Sequence, residues 1–248
     1  MGAVYILWLR QLKRYARARA RMIGSLGQPL LFLLAMGYGF GPAYAKAGGG
    51  DYIQFLAPGI VSMGILFTAV FSGIEIIWDR QFGFLKETLV APVSRLQIVL
   101  GRTLGGATVA FIHGLIVLVM CVVVGFRFER PALLPLAALF MLLLSAASTA
   151  VGTAIGSVLE DMQAFPLIMN FLVMPLFFFS GALFPVEGLP KALRVASELN
   201  PLTYGVDGLR GALTQSHAFG LGWDLAVLGA VAGFLLAFGS YLFSRIQL

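Results

Sequence analysis

The chain has 248 residues, 59% of them hydrophobic and only 11% charged, with a mean hydropathy of +0.92. A soluble domain is about 25% charged because its whole surface meets water, so this composition excludes a soluble globular protein and makes lipid part of the solvent. The net charge of +6 and pI of about 9.8 reflect lysine and arginine placed unevenly around apolar runs. That is a matter of membrane topology, and it requires no nucleic-acid partner.

Residues 1–22 form a basic, amphipathic stretch rather than a cleavable signal, because the cations lie within the segment and no small-residue cleavage site follows. Arg10, Lys13, Arg14, Arg17 and Arg21 recur at helical spacing on one face, with Tyr5, Trp8, Leu9, Leu12 and Ala16 on another. This pattern predicts a helix lying in the interface, its cations toward lipid phosphates and water. The plainer reading is a solvated anchor that only fixes topology.

A spanning helix needs about 20 apolar residues to cross about 30 Å of hydrocarbon. Six runs qualify: residues 23–44, 55–78, 97–126, 132–158, 165–184 and 223–243. They lack the alternation of a barrel strand. The expectation is one all-α polytopic domain over 1–248, with spans one to five in 23–184, an outer hairpin in 185–220 and the last span in 223–243. Eleven lysines and arginines flank the side of the termini and six the other, which predicts a multi-pass plasma-membrane protein with both termini cytoplasmic. Cys121 lies in an apolar run, has no cysteine partner and reads as a small buried hydrophobe.

Between the second and third runs, Phe82, Leu85 and Leu89 share a helical face while Lys86 and Glu87 lie off it, and Pro92 ends the segment. Ser94 followed by Gln97 reads as a capping box opening the third span. A cytoplasmic amphipathic helix presses either on its own bundle or on a partner, and the residues alone leave both open. Beyond the fifth run, Asn200 is a good N-cap before Pro201, predicting short helices over 190–198 and 201–214. Asp207 and Arg210 are spaced to pair on the second helix. The segment, which also contains Tyr204, is apolar enough to dip back into the outer leaflet.

Glu75 is the one acid well inside a predicted span. An intramembrane carboxylate is costly and is a functional candidate for that reason. The absence of a chain of such groups favours a salt bridge within the bundle over transport chemistry. His113 and Asn170 read as polar contacts between helices. Small-residue pairs at Gly37/Gly41, Gly101/Gly105, Gly152/Gly156 and Gly229/Gly233 mark sites where helices can approach closely.

A P-loop needs Lys followed by Ser or Thr. The four lysines here precede Arg14, Ala47, Glu87 and Ala192, so the chain carries no ATPase site. No cysteine pair for zinc, no nucleophile elbow and no H-E-x-x-H occur either. No catalytic residue, resident cofactor or metal is expected. A membrane-embedded enzyme is disfavoured on the same grounds. An ion-coupled secondary transporter would show repeats and several intramembrane ionisable groups, and a non-transporting scaffold is the other alternative.

Three stretches, in order, carry a resemblance: residues 75–95 (EIIWDRQFGFLKETLVAPVSR), 169–185 (MNFLVMPLFFFSGALFP) and 199–213 (LNPLTYGVDGLRGAL). Together they resemble the membrane subunit of type-2 ABC exporters, in particular daunorubicin-resistance-type permeases and their nodulation-factor-export relatives. The resemblance implies a half-transporter that pairs with a second permease copy, as a homodimer or related heterodimer. It also implies docking of two ATP-binding cassette subunits, which would hold the ATP and magnesium. Residues 1–22 would be the interfacial helix, and 80–92 would contain a coupling helix, with Arg80, Phe82, Gly83, Leu85, Glu87, Leu89 and Pro92 in the matching motif. The substrate implied is an amphiphile, a drug or a lipid-linked molecule.

Overall fold

The computed structural model describes residues 2–83, 93–159, 161 and 163–244. An amphipathic helix, α1 (Gly2–Arg17), breaks at Ala18 into α2 (Arg19–Lys46). Then follow α3 (Tyr52–Gln81), capped by Asp51, and α4 (Arg95–Val124). Ser94 Oγ accepts from the Gln97 N–H at 3.3 Å, as the capping box predicts, and Gly125 at φ 131° ends α4. A 3-10 turn at Pro131 leads into α5 (Leu134–Val158). After these come the short apolar α6 (Ala164–Phe178), α7 (Lys191–Leu199), α8 (Pro201–Thr214) and α9 (Leu221–Ser244).

α3 is the axis of the bundle. It is buried along most of its length and packs on α2, α4, α5 and α8. Its closest neighbour is α5, because glycines face each other: Gly73 lies against the Gly152 backbone, and Gly152 lies against Val70. Small residues admit such contact in lipid, where no hydrophobic effect drives helices together. α2 and α9 leave most of their surface open, presenting Leu31, Tyr38, Phe40, Phe234 and Phe238.

Among the described residues five helices are long and apolar enough to cross a membrane, which establishes an all-α polytopic bundle. The fifth run of the sequence departs from expectation. Hydropathy predicts a span over 165–184, but the helix stops at Phe178 and carries a π-turn at Met169–Val173. The wide turn precedes Pro175, which lacks a backbone donor and crowds the carbonyl of the turn before it. Residues 179–183 are irregular, with Gly181 at φ 71°. Two of their carbonyls are satisfied from other segments, since Arg210 donates to the Gly181 carbonyl and Tyr52 to that of Leu183.

The first boundary also moves. α1 ends at Arg17, so Arg21 belongs to the long α2 and not to the amphipathic helix. Nor does α1 only face lipid. Gly101 and Gly105 of α4 admit its Val4, Leu7, Trp8 and Gln11, and Trp8 Nε1 donates to Thr108 Oγ1 at 3.1 Å.

Candidate functional site

Polar residues gather where α3 ends. Glu75 and Asp79, one helical turn apart, project from one face of α3. Arg10 and Arg14 have the same spacing on α1 and meet them. Arg14 Nη1 lies 3.4 Å from Glu75 Oε2 and 3.7 Å from Asp79 Oδ1, and Arg10 Nη2 lies 3.7 Å from Asp79 Oδ1. Arg21 Nη1 donates to Glu75 Oε1 at 2.8 Å, and Arg102 of α4 pairs with Asp79 Oδ2. Four guanidiniums from three helices thus hold two carboxylates of a fourth.

The break at Ala18 makes this possible. In a continuous helix Arg14 and Arg21, two turns apart, would stand about 10 Å from each other along the axis. With α1 and α2 set at an angle they close on the two oxygens of one carboxylate. Glu75, Asp79 and Arg102 are 7%, 4% and 6% exposed, so these charges are held by pairing and not by water. Of the cations expected to face lipid phosphates, Arg10, Arg14 and Arg21 therefore reach the α3 carboxylates, while Lys13 and Arg17 stay exposed.

Sequence reasoning found Glu75 but missed its neighbours Asp79 and Arg102. The available signal was the one-turn spacing of the two acids, opposite an arginine set two turns into the next span. His113 is buried and shares a 3.1 Å hydrogen bond between its Nδ1 and the Tyr15 hydroxyl. Burial raises the Tyr15 phenol above its ordinary pKa, partly offset by Arg21, which keeps it neutral. Asn170, read as a contact between helices, is instead exposed in the π-turn and makes no side-chain hydrogen bond among the described residues. The π-turn leaves it on a surface that no other helix among the described residues covers.

Of the segment leading into α4, Arg80 is half-buried, Phe82 is exposed and Gly83 adopts φ 78°, a left-handed turn that suits glycine. Leu85, Glu87, Leu89 and Pro92 lie outside the described residues.

The opposite end carries α7 and α8. Asn200 caps α8 by accepting from the Leu202 N–H, and its Nδ2 donates to the Leu176 carbonyl at 2.6 Å. Pro201 occupies the first turn, and the Tyr204 hydroxyl donates to the Glu198 carbonyl at 2.7 Å. Asp207 and Arg210 do not pair with each other. Asp207 accepts the N–H groups of Ala218 and Phe219, while Arg210 lies over the Phe55 ring and donates to the Phe55 and Gly181 carbonyls. Each satisfies backbone groups of another segment in place of an i,i+3 pair. Burial lowers the Arg210 guanidinium to about 10, with Asp207 pulling it back up, and it stays charged at neutral pH.

The family profile described as "ABC-2 type transporter" matches residues 2–214. Among similar proteins, a "Putative transport permease ycf38" of Cyanophora paradoxa is 29% identical over 86% of this chain and 74% of its own length. A "Nodulation protein J" of Rhizobium leguminosarum bv. trifolii is 29% identical over 83% of this chain and 76% of the relative. Another of that name, from Sinorhizobium fredii, is 26% identical over 94% of this chain and 90% of the relative. The nodulation-type side of the sequence resemblance is carried by these relatives; a daunorubicin-resistance subfamily is not singled out.

Proposed function

Because the chain belongs to the ABC-2 type transporter family, we propose that it is the membrane subunit of an ATP-driven exporter. In this reading it forms the path for an amphiphilic or lipid-linked substrate and leaves hydrolysis to separate subunits. Two copies, or this chain and a related permease, pair in the plasma membrane with both termini in the cytoplasm. Two ATP-binding cassette subunits dock on 80–92. The sixth crossing is made by α6 together with 179–183. Phe165 packs against Phe71 and the Leu183 carbonyl meets Tyr52, so this stretch matches a rise of about 28 Å along α3. Irregular backbone at membrane depth is tolerated when protein buries it, as Ser180, Ala182 and Leu183 are buried.

The observation that carries the mechanism is the charge node at Glu75 and Asp79, one turn before the docking segment. A push on 80–92 reaches α1 through Arg10 and Arg14, α2 through Arg21 and α4 through Arg102. Three helices are thereby moved by one lever, and the path along the dimer seam opens outward. Co-purification with the partner ATPase and substrate-stimulated ATP hydrolysis in lipid test the assignment. Leu85→Asp is expected to abolish ATPase capture, because docking would bury an unpaired carboxylate. Normal capture and export by that variant would overturn the docking assignment, and failure of the unaltered chain to associate with any ATPase subunit would overturn the exporter reading.

A further inference from the structure

Glu75 also lines a cavity of about 310 Å³, walled by Arg14, Tyr15, Arg21, Ser25 and Phe71 among others. That size lies at the lower edge of ligand pockets, roughly 300–1,000 Å³. Its charge is unbalanced. Arg102 is closed away with Asp79, but the Arg14 and Arg21 side chains remain 35% and 44% exposed while sharing the Glu75 carboxylate, Arg14 having only a further 3.7 Å contact to Asp79. Each guanidinium presents five N–H donors, and these contacts leave most of them open to the cavity or to water.

Beyond Phe71 and Ser25, a second cavity of about 120 Å³ continues between α2 and α3, past Phe67 and Thr68, to His113. Phe71 is shared by both cavities, and the Arg21 guanidinium lies 5.9 Å from the centre of its ring. Among the described residues the second cavity carries no arginine; its walls are Phe67, Phe71, Met63 and Pro29 together with the neutral polar Ser25, Gln28, Thr68 and His113. A positive mouth beside a narrower, uncharged and partly aromatic space can take an anionic head and the start of its tail.

We infer that this cavity is a binding site for the oxyanion head group of a membrane amphiphile in the leaflet on the side of the termini. Arg14 and Arg21 hold the head, and Phe71 and Phe67 receive the start of the tail. Guanidiniums suit this task because their planar forks bind phosphate-type oxygens in pairs. Glu75 competes with the ligand for both arginines, so it sets the affinity as well as the position of the clamp. As a loading site the cavity rests on the exporter reading; binding itself needs no ATPase.

The purified full chain in neutral detergent is mixed with phosphatidylglycerol, phosphatidylcholine or inorganic phosphate, and retained molecules are counted by native mass spectrometry. The site predicts phosphatidylglycerol retained about tenfold better than phosphatidylcholine, equivalent to about 1.4 kcal/mol. Arg14→Gln with Arg21→Gln should erase the preference, and Arg14→Lys with Arg21→Lys should keep part of it. Glu75→Gln should raise phosphatidylglycerol retention severalfold, because it removes the competing carboxylate. A purely structural node predicts the reverse, with Glu75→Gln losing lipid in parallel with the arginine variants, and that result would overturn the site. Equal retention of the two lipids would also overturn it, and displacement by millimolar inorganic phosphate would overturn its assignment to a lipid head. These results leave the exporter reading standing, just as failure to capture an ATPase leaves lipid preference intact.

Discussion

Asp79→Ala is expected to destabilise the bundle by about 3–5 kcal/mol, the range for removing one partner of a buried ion pair. The substitution strands Arg102, which is 6% exposed and whose Nη1 has no hydrogen-bond partner among the described residues even with Asp79 present. Arg10 and Arg14 lose part of their anchorage at the same time. Denaturant unfolding of the purified protein, followed by tryptophan fluorescence, reads the loss. The companion Asp79→Leu with Arg102→Met should recover most of it, since replacing both buried charges by apolar groups of similar volume is often neutral. If the single variant is as stable as the unaltered chain, the pair is not buried in the way described. The exposed Arg194–Glu198 pair on α7 provides the contrast. Its loss should cost about 0.5 kcal/mol or less.

The double variant separates stability from coupling. If Asp79 serves only to hold the fold, the apolar pair restores transport along with stability. If the node transmits motion from 80–92, the apolar pair folds but exports poorly, because it loses the Arg10 and Arg14 contacts to Asp79 and leaves α1 tied to α3 by Arg14 and Glu75 alone. Export measured in the refolded double variant therefore reports on the mechanical role directly.

Much of the bundle was legible because long apolar runs have few alternatives in lipid. The five long helices, the capping box at Ser94 and both helices of the far hairpin fall close to where hydropathy, proline and capping residues place them. The truncated α6 was not legible in this way. Hydropathy continues through residues 179–184, and the helix yields there to Gly181 and to carbonyls that α8 and Tyr52 satisfy from a distance. The charge node was half legible. Glu75 stood out as an acid in an apolar run, but its partners sit 54 and more positions away in sequence, and only the fold brings them together. Periodicity also drew one basic helix through residue 21, because Arg21 remains in phase with Arg14 and Arg17 across the break at Ala18.

The glycine pairs lead to the second large effect. Spacing alone offers Gly37/Gly41, Gly101/Gly105, Gly152/Gly156 and Gly229/Gly233 as equals, yet the structure gives the last three different work. Gly101/Gly105 seats α1, Gly152/Gly156 seats α3, and a Cβ at Gly229 or Gly233 would meet nothing within 4 Å. At Gly73, opposite Gly152, an added Cβ would lie 2.4 Å from both the Gly152 carbonyl carbon and the Thr153 nitrogen. Those atoms are backbone and cannot rotate aside, so α3 and α5 must separate along the most extensive contact in the bundle. Gly73→Ala is therefore expected to cost about 3 kcal/mol, the upper part of the overpacking range. Gly229→Ala should stay within about 0.5 kcal/mol, as a helix surface substitution that touches nothing. The same unfolding assay checks both. Equal effects at the two positions would mean that the α3–α5 approach is looser than described. A large loss at Gly73 alone would locate the close contact between α3 and α5, the one against which the charge node at the end of α3 has to act.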